Sequence, residues 1–553
     1  MAQIGAARCT ESVSTDDIDR VARESFGIDR LKPAQRDAIE AAVNGRDVLG
    51  VLATGYGKSA MYQIAAALRD GVTVVVSPLI ALQEDQLVGI ESAPDAPAGV
   101  ALNSAGGVRR TREAWRMLRT GRAEFVLLAP EQLAKDDVLA ALAELEVSLL
   151  VVDEAHCIAS WGHDFRPDYL MIGSAAERLG RPPVMALTAT ASTPVRAEIV
   201  SRLGLRDPFV CIGELDRPNI SLAVRRHTQD ADKRAAVVDE VVELPTPGLV
   251  YTATRRDTEQ YAEQLQERGL RAAAYHAGMS AKSRERVHED LLEDRLDAVV
   301  ATSAFGMGID KPNVRFVVHA DAPDSVDAYY QEMGRAGRDG RPAHAVLHFR
   351  PEDLALRRYF AGRRPAAGEM RKLLRALGDG TRRRAELAEA SGLSTRRVTA
   401  LLALLSDTGH VRLGRGGARL IARGDAGAAV SDALERVEER ERIDQSRIEM
   451  MRSYAESRRC RRQTLLDYFG EELDGPCGNC DRCAEGTAPS PSDRDAGAGV
   501  AYRVDDRVQH AEWGPGTVMS VEDDRMTVFF DAEGYRVLSL ELIEEKDLVE
   551  VES

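Results

Sequence analysis

With 553 residues, 44% of them apolar and 29% charged, the chain has the composition of a globular protein of roughly three to five domains. A formal net charge of −16 argues against a passive nucleic-acid coat, although a basic groove can lie on an acidic particle. No run of about 18 apolar residues occurs, and the N-terminus lacks the basic-then-apolar pattern of a signal peptide, which predicts a cytoplasmic location.

Up to about residue 355, short β-branched runs alternate with longer segments of helical spacing. VTVVVSP (72–78), VSLLVVD (147–153), GLVY (248–251), LDAVVATS (296–303) and VRFVVHA (314–320) read as strands buried on both faces. This alternation predicts an α/β fold of parallel sheets covered by helices, in two domains (15–215 and 216–355) joined near Glu214–Asn219. Residues 366–425 change character: helix, glycine turn, second helix, short strand, tight turn and strand, the layout of a winged helix-turn-helix. A long charged helix leads into a cysteine cluster within 430–485. A small-residue linker occupies 486–500, and residues 501–553 alternate apolar and polar around glycine turns as a small β-barrel does.

Two segments carry phosphate chemistry. In DVLGVLATGYGKSA (47–60) a strand ends at Val51 or Leu52 and a glycine-rich loop opens a helix at Lys58-Ser59. The backbone N–H groups of Thr54, Gly55, Tyr56 and Gly57 then cradle phosphates, Lys58 neutralises them and the Ser59 hydroxyl ligates Mg²⁺. In LLVVDEAH (149–156) a buried strand delivers Asp153 and Glu154 to the carboxyl edge of the sheet. There Asp153 holds Mg²⁺ and Glu154 polarises the attacking water, which makes the expected ligand Mg·ATP.

Four of the seven cysteines, Cys460, Cys477, Cys480 and Cys483, follow the spacing C-x16-C-x2-C-x2-C. In a reducing compartment this predicts one tetrahedral Zn²⁺ ahead of disulfides or an iron–sulfur cluster. Cys9, Cys157 and Cys211 read as free thiols.

Taken together the motifs resemble those of the RecQ family of superfamily-two helicases. DEAHCIASWGHDFRPDY (153–169) is similar to the family's long signature, whose aromatic loop couples DNA binding to hydrolysis. On that resemblance Trp161, His163, Phe165, Arg166 and Tyr169 contact single-stranded DNA by stacking and phosphate pairing. The loop Ala53–Ser59 fits the A-T-G-x-G-K-[ST] form common in that superfamily, although Leu52 breaks the longer glycine pattern. FGIDRLKPAQ (26–35) looks like the adenine-reading motif, with Gln35 and Lys32 as contacts; Lys32 stands where arginine is usual and Ile28 where an aromatic is frequent. VVVSPLIALQEDQ (74–86) and ALTATAS (186–192) resemble the strand-contacting motif and the hydroxyl motif that links the two sites. ATSAFGMGIDKPNVRFVVHADAP (301–323) and YYQEMGRAGRDG (329–340) match motifs of the second lobe, placing Asp310, Gln331, Arg335 and Arg338 at the nucleotide. Arg335 and Arg338, i and i+3, are expected on one helical face.

The resemblance implies two tandem RecA-like domains and a DNA helicase or translocase moving 3′-to-5′, acting in repair or recombination and associated with the nucleoid. The module order departs from it, because the winged domain precedes the cysteines and no HRDC-like segment follows. That domain either grips duplex DNA, through Arg382, Arg383, Arg384, Arg396, Arg397 and Arg415, or packs against protein. Residues 503–531 resemble the Tudor/SH3-like tail of UvrD-type helicases, which implies a protein partner such as RNA polymerase, with Val518, Val528 and Phe530 in its core. Competing readings are an RNA helicase, a translocase that strips proteins with little unwinding, and a non-enzymatic scaffold.

Overall fold

The computed structural model describes residues 13–551 except 54, 104–106, 160–165, 304, 306–310, 356–365, 379, 415–416, 422–425, 472, 487–501, 505, 522–524 and 547. Thr54, Trp161, His163, Phe165, Asp310 and Arg415, and all but the first residue of the predicted linker, therefore lie outside the described residues.

The first lobe is a parallel sheet of β1 (Val48–Val51), β2 (Val72–Val76), β3 (Gly99–Leu102), β4 (Phe125–Leu128), β5 (Val147–Val152), β6 (Val184–Thr188) and β7 (Phe209–Ile212), in the order β3-β4-β2-β5-β6-β1-β7. Its strands are buried on both faces: Leu150 and Val152 of β5 enter one core, Leu149 and Val151 the other. Because β5, β6 and β1 are neighbours, their carboxyl ends deliver DEAH, the hydroxyl motif and the phosphate loop side by side.

The second lobe is also parallel: β8 (Ile220–Arg226), β9 (Gly248–Tyr251), β10 (Ala272–Tyr275), β11 (Ala298–Ala301), β12 (Phe316–His319) and β13 (Ala343–Phe349), in the order β10-β11-β9-β12-β13-β8. The edge at β8 is covered by the cysteine module. Leu222 N donates to Asn479 O at 3.3 Å and Val224 N to Asp481 Oδ2 at 3.0 Å, so groups that would otherwise template aggregation are paired. Arg461, fully buried beside them, donates to Asp481 Oδ1 (3.0 Å) and to the Tyr454 carbonyl (2.7 Å).

The winged domain has helices Ala367–Leu377, Arg384–Ser391 and Thr395–Asp407 and a hairpin of β14 (Val411–Gly414) and β15 (Gly417–Leu420) around its own leucine-rich core. It docks on the first lobe through Asp407, whose oxygens accept from Arg202 at 2.7 Å and from Arg436 of the long helix Ala426–Glu456 at 3.0 Å. Arg397, expected at phosphate, is instead half-buried and held by Glu369 at 2.6 Å, a pairing within the domain.

The C-terminal unit is a five-stranded antiparallel sheet of β16 (Arg507–His510), β17 (Gly514–Val521), β18 (Arg525–Phe530), β19 (Gly534–Ser539) and β20 (Val549–Val551), in the order β19-β18-β17-β16-β20. Val518, Val528 and Phe530 are fully buried in it, and Trp513 stacks on His510 at 4.1 Å. Among the described residues no helix is long and apolar enough to cross a membrane.

Candidate active site and metal centre

The phosphate loop turns at Gly55 and Gly57, both left-handed (φ +83° and +88°), and launches helix Lys58–Ala67. A Cβ at Gly57 would lie 2.7 Å from Gln35 Nε2, so only glycine lets the loop approach this close. Gln35 braces the loop by donating to the carbonyls of Tyr56 (2.9 Å) and Gly57 (3.2 Å), while its Oε1 accepts from Lys32 N (2.9 Å). The Lys32 ammonium sits 3.6 Å from the centre of the Tyr56 ring, a cation–π contact that fixes the loop's outer edge. Lys58 Nζ donates to Leu52 O at 3.2 Å, which aims it back over the loop, and Ser59 follows it in the first helical turn.

Asp153 is buried, and both its oxygens are engaged: Oδ2 accepts from Gln86 Nε2 at 2.8 Å and Oδ1 from Glu154 N at 3.0 Å. Burial pulls the Lys58 ammonium below its usual range while Glu154 and Asp153 oppose that fall. Burial likewise pushes the Asp153 carboxyl up, against Lys58 and the Gln86 hydrogen bond. Lys58 and Asp153 thus each favour the other's charged form against the cost of burial.

A polar path leaves this centre. Glu154 adopts a left-handed backbone (φ 49°) and lies 3.4 Å from His156 Nδ1, which is 3.0 Å from Thr188 Oγ1. The Thr188 hydroxyl donates to Thr190 O at 3.0 Å, and Thr190 Oγ1 accepts from Gln331 Nε2 of the second lobe at 3.1 Å. The path runs from the carboxylate that would orient water to the opposite wall of the cleft. His156 and Gln86 were not singled out from sequence, although both stand inside the quoted motifs.

Arg338 lies against the phosphate loop, but neither it nor Arg335 projects from a helix face. Helix Val326–Met333 stops at Gly334, and both arginines sit in the following turns. Arg217 pins those turns through the carbonyls of Gly334 (2.8 Å) and Ala336 (2.8 Å). Arg335 is buried, and Arg338 lies over the phosphate loop, 3.5 Å from where a Cβ at Gly55 would stand. A second correction concerns Tyr169. Its ring is fully buried and its hydroxyl donates to the Asp153 carbonyl at 3.1 Å, so it steadies the acidic loop and has no free face for a base. Arg166 is half-buried and donates to Pro78 O at 3.1 Å, beside the strand-contacting motif.

The four cysteines converge. Their sulfur atoms lie within 4.8 Å of one another, with Cys460–Cys480 at 3.9 Å and Cys477–Cys483 at 4.0 Å. Tetrahedral zinc at about 2.3 Å from each sulfur requires edges of roughly 3.8 Å, so the set fits Zn²⁺. Backbone N–H groups of Cys477 and Asn479 donate to sulfur at 3.3 Å each, as thiolate ligands require.

Comparison with known proteins agrees with this geometry. The DEAD/DEAH box helicase family matches residues 32–198, the helicase conserved C-terminal domain 232–340 and the RecQ zinc-binding domain 419–484. The ATP-dependent DNA helicase RecQ of Haemophilus influenzae is 35% identical over 466 residues, 84% of this chain and 63% of that protein. That of Bacillus subtilis is 31% identical over 475 residues, 85% of this chain and 67% of the relative. The chain thus spans just under two thirds of the Haemophilus relative's length. Among solved structures, the DUF1998 helicase MrfA bound to DNA superposes with a TM-score of 0.52 at 16% identity, covering 76% of this chain and 64% of that one. The Mycobacterium smegmatis helicase Lhr gives 0.50 at 23%, covering 77% and 61%; both share the fold. With motor motifs, four-thiol zinc site and sequence identity in agreement, the chain belongs to the RecQ family of DEAD/DEAH-box helicases.

Proposed function

We propose that the chain is an ATP-dependent DNA helicase that travels 3′-to-5′ on single-stranded DNA, as a nucleoid-associated monomer acting in repair or recombination. The observation that carries the reading is the two-sided cleft, with Lys58, Asp153 and Glu154 on one lobe and Arg338 of the other lying against the phosphate loop. When bound, Mg·ATP supplies the phosphoryl group whose developing charge these side chains stabilise. Glu154 orients the water, Lys58 and the loop amides hold the phosphates, and the two arginines enter only when the lobes close. Hydrolysis then reopens the cleft, and alternating grip moves the chain along one strand. DNA as the track is drawn from the relatives' names and the WGHDF loop.

The winged domain supports a duplex-gripping role. Arg382, Arg383, Arg384, Arg412 and Arg419 are exposed, and Arg412 stands directly opposite Arg419 across the hairpin. Like charges so placed repel unless a polyanion lies over them. The C-terminal sheet, whose exposed side chains include Val537 and Val551, is assigned to a protein partner such as RNA polymerase. Docking of the winged domain on the first lobe favours protein-stripping translocation as the second reading.

ATP hydrolysis measured alone and with single-stranded DNA, duplex DNA or single-stranded RNA tests the proposal, with Lys58→Ala as control. Strong stimulation by single-stranded DNA, absent in the variant, is expected. Stimulation mainly by RNA overturns the substrate, and no stimulation at all overturns the motor.

A further inference from the structure

The C-terminal sheet is seated in the body of the protein rather than hung from it. Met519, Phe529 and Tyr535 join the hydrophobic cluster that also holds second-lobe, long-helix and cysteine-module side chains. At the centre of this seam lie five polar side chains from five different segments, each no more than 6% exposed: Ser192, Asp327, Arg447, Tyr468 and Tyr535. Tyr535 of β19 donates from its hydroxyl to Ser192 Oγ at 3.2 Å and from its backbone N–H to Ser446 Oγ of the long helix at 2.9 Å. Its ring lies 5.3 Å from that of Tyr468, whose hydroxyl donates to Asp327 Oδ2 at 2.6 Å. The backbone at Gly534 comes so close to Ser446 that a Cβ there would collide with its hydroxyl.

The two ends of this network are close in sequence to the two sides of the nucleotide cleft. Ser192 belongs to the first lobe, two residues beyond Thr190. Asp327 belongs to the second, one helical turn before Gln331 and on the same face of helix Val326–Met333. Thr190 and Gln331 are hydrogen-bonded across the cleft. Among the described residues the lobes are therefore joined both at this pair and, a turn away, through Tyr468 and Tyr535. Buried hydroxyls left without partners are costly, so this pairing favours one relative placement of the lobes.

We infer that Tyr535 is a positioning residue for ATP hydrolysis: the C-terminal sheet travels with the second lobe, and the Tyr535 hydroxyl latches it to Ser192 when the cleft closes. This rests on the motor reading above. The latch holds the arginine-in arrangement partly formed before nucleic acid arrives, so it sets the resting rate and the amount of DNA needed to stimulate it.

The test uses the full-length, zinc-loaded chain with Tyr535→Phe, Ser192→Ala and the double variant. Fluorophores on non-natural amino acids at exposed Asp70 and Glu267 report the distance between lobes without nucleotide or DNA. Loss of one buried hydrogen bond is expected to lower the closed-to-open ratio about fivefold in each single variant. The double variant should fall no further, because both changes cut the same contact. Resting hydrolysis should drop by a similar factor and half-maximal stimulation should need more single-stranded DNA, with the rate at saturating DNA within twofold of wild type. An unchanged distance distribution in the single variants, or additive effects in the double, overturns the latch. Should Tyr535→Phe unfold the sheet, Ser192→Ala decides alone, since it lies outside that unit. Absence of DNA-stimulated hydrolysis in the wild type would sink the motor reading, while the fluorescence measurement would still judge the latch.

Discussion

Replacing Gly57 by alanine tests the phosphate loop at its tightest point. The new Cβ would stand 2.7 Å from Gln35 Nε2 and would hold a left-handed backbone at φ +88°. The backbone strain costs about 1–2 kcal/mol. Displacing the Gln35 amide forfeits its hydrogen bonds to Tyr56 and Gly57, at about 1 kcal/mol each. The free loop can relax this strain but the nucleotide-bound loop cannot, so roughly 3–4 kcal/mol appears as lost affinity, about 150-fold or more in Kd. Equilibrium titration with a fluorescent ATP analogue reads the effect, and a melting curve checks that the change stays local. Discrimination between ATP and GTP should also weaken, because the displaced carboxamide is the proposed adenine reader. In Gly57→Ala with Gln35→Ala the collision is gone and only the backbone strain of Gly57→Ala adds to the loss of the amide. A Kd for Gly57→Ala within threefold of wild type would refute the reasoning.

Three further outcomes are expected. Lys233, 2% exposed, donates to Asp321 and Asp353 at 2.6 Å each; Lys233→Ala takes that cation from Asp321 while Asp353 keeps Arg350 at 2.6 Å, and should cost about 3 kcal/mol in urea unfolding, with a loss under about 1 kcal/mol counting against the pairing. Stripping zinc with a chelator, or Cys480→Ser, should uncover the β8 edge, so metal content falls and light scattering rises together; a chelated protein that stays monodisperse would contradict this. Burial works to raise the Asp407 carboxyl, but Arg202 and Arg436 outweigh it and hold the group below its usual range. Its stabilisation is therefore complete above the unfolded value of about 3.9 and fades as pH falls through the lower folded value. The melting advantage of wild type over Asp407→Asn should persist at pH 5–7 and vanish in stronger acid, and a gap constant from pH 2 to 7 would show that the charge is irrelevant.

The strands were legible because parallel strands covered on both faces leave unbroken β-branched runs, as in Val72–Val76. The phosphate loop was legible because close approach to an anion demands glycine at particular places. Residues whose environment comes from remote chain were not. Tyr169 sits in a polar stretch, yet the fold turns it inward under Asp153. Arg461 and Arg462 look like surface charges, but are buried against carbonyls and carboxylates of distant segments. The Tyr535–Ser192 contact joins positions 343 apart in sequence, and no local pattern announces it. Arg335 and Arg338 have helical spacing, yet the glycines beside them end the helix first.

The cover on β8 also has a consequence in time. Val224 is translated early in the second lobe, whereas the Asp481 carboxylate that satisfies its N–H lies 257 residues downstream. At about 5–20 residues per second the ribosome needs roughly 13–50 s to deliver it. Through that interval the nascent lobe carries an open strand edge, and its completion waits on a metal ion arriving at cysteines translated only after the whole second lobe. Scarcity of zinc during synthesis would thus be felt first as misassembly of new chains rather than as failure of finished ones.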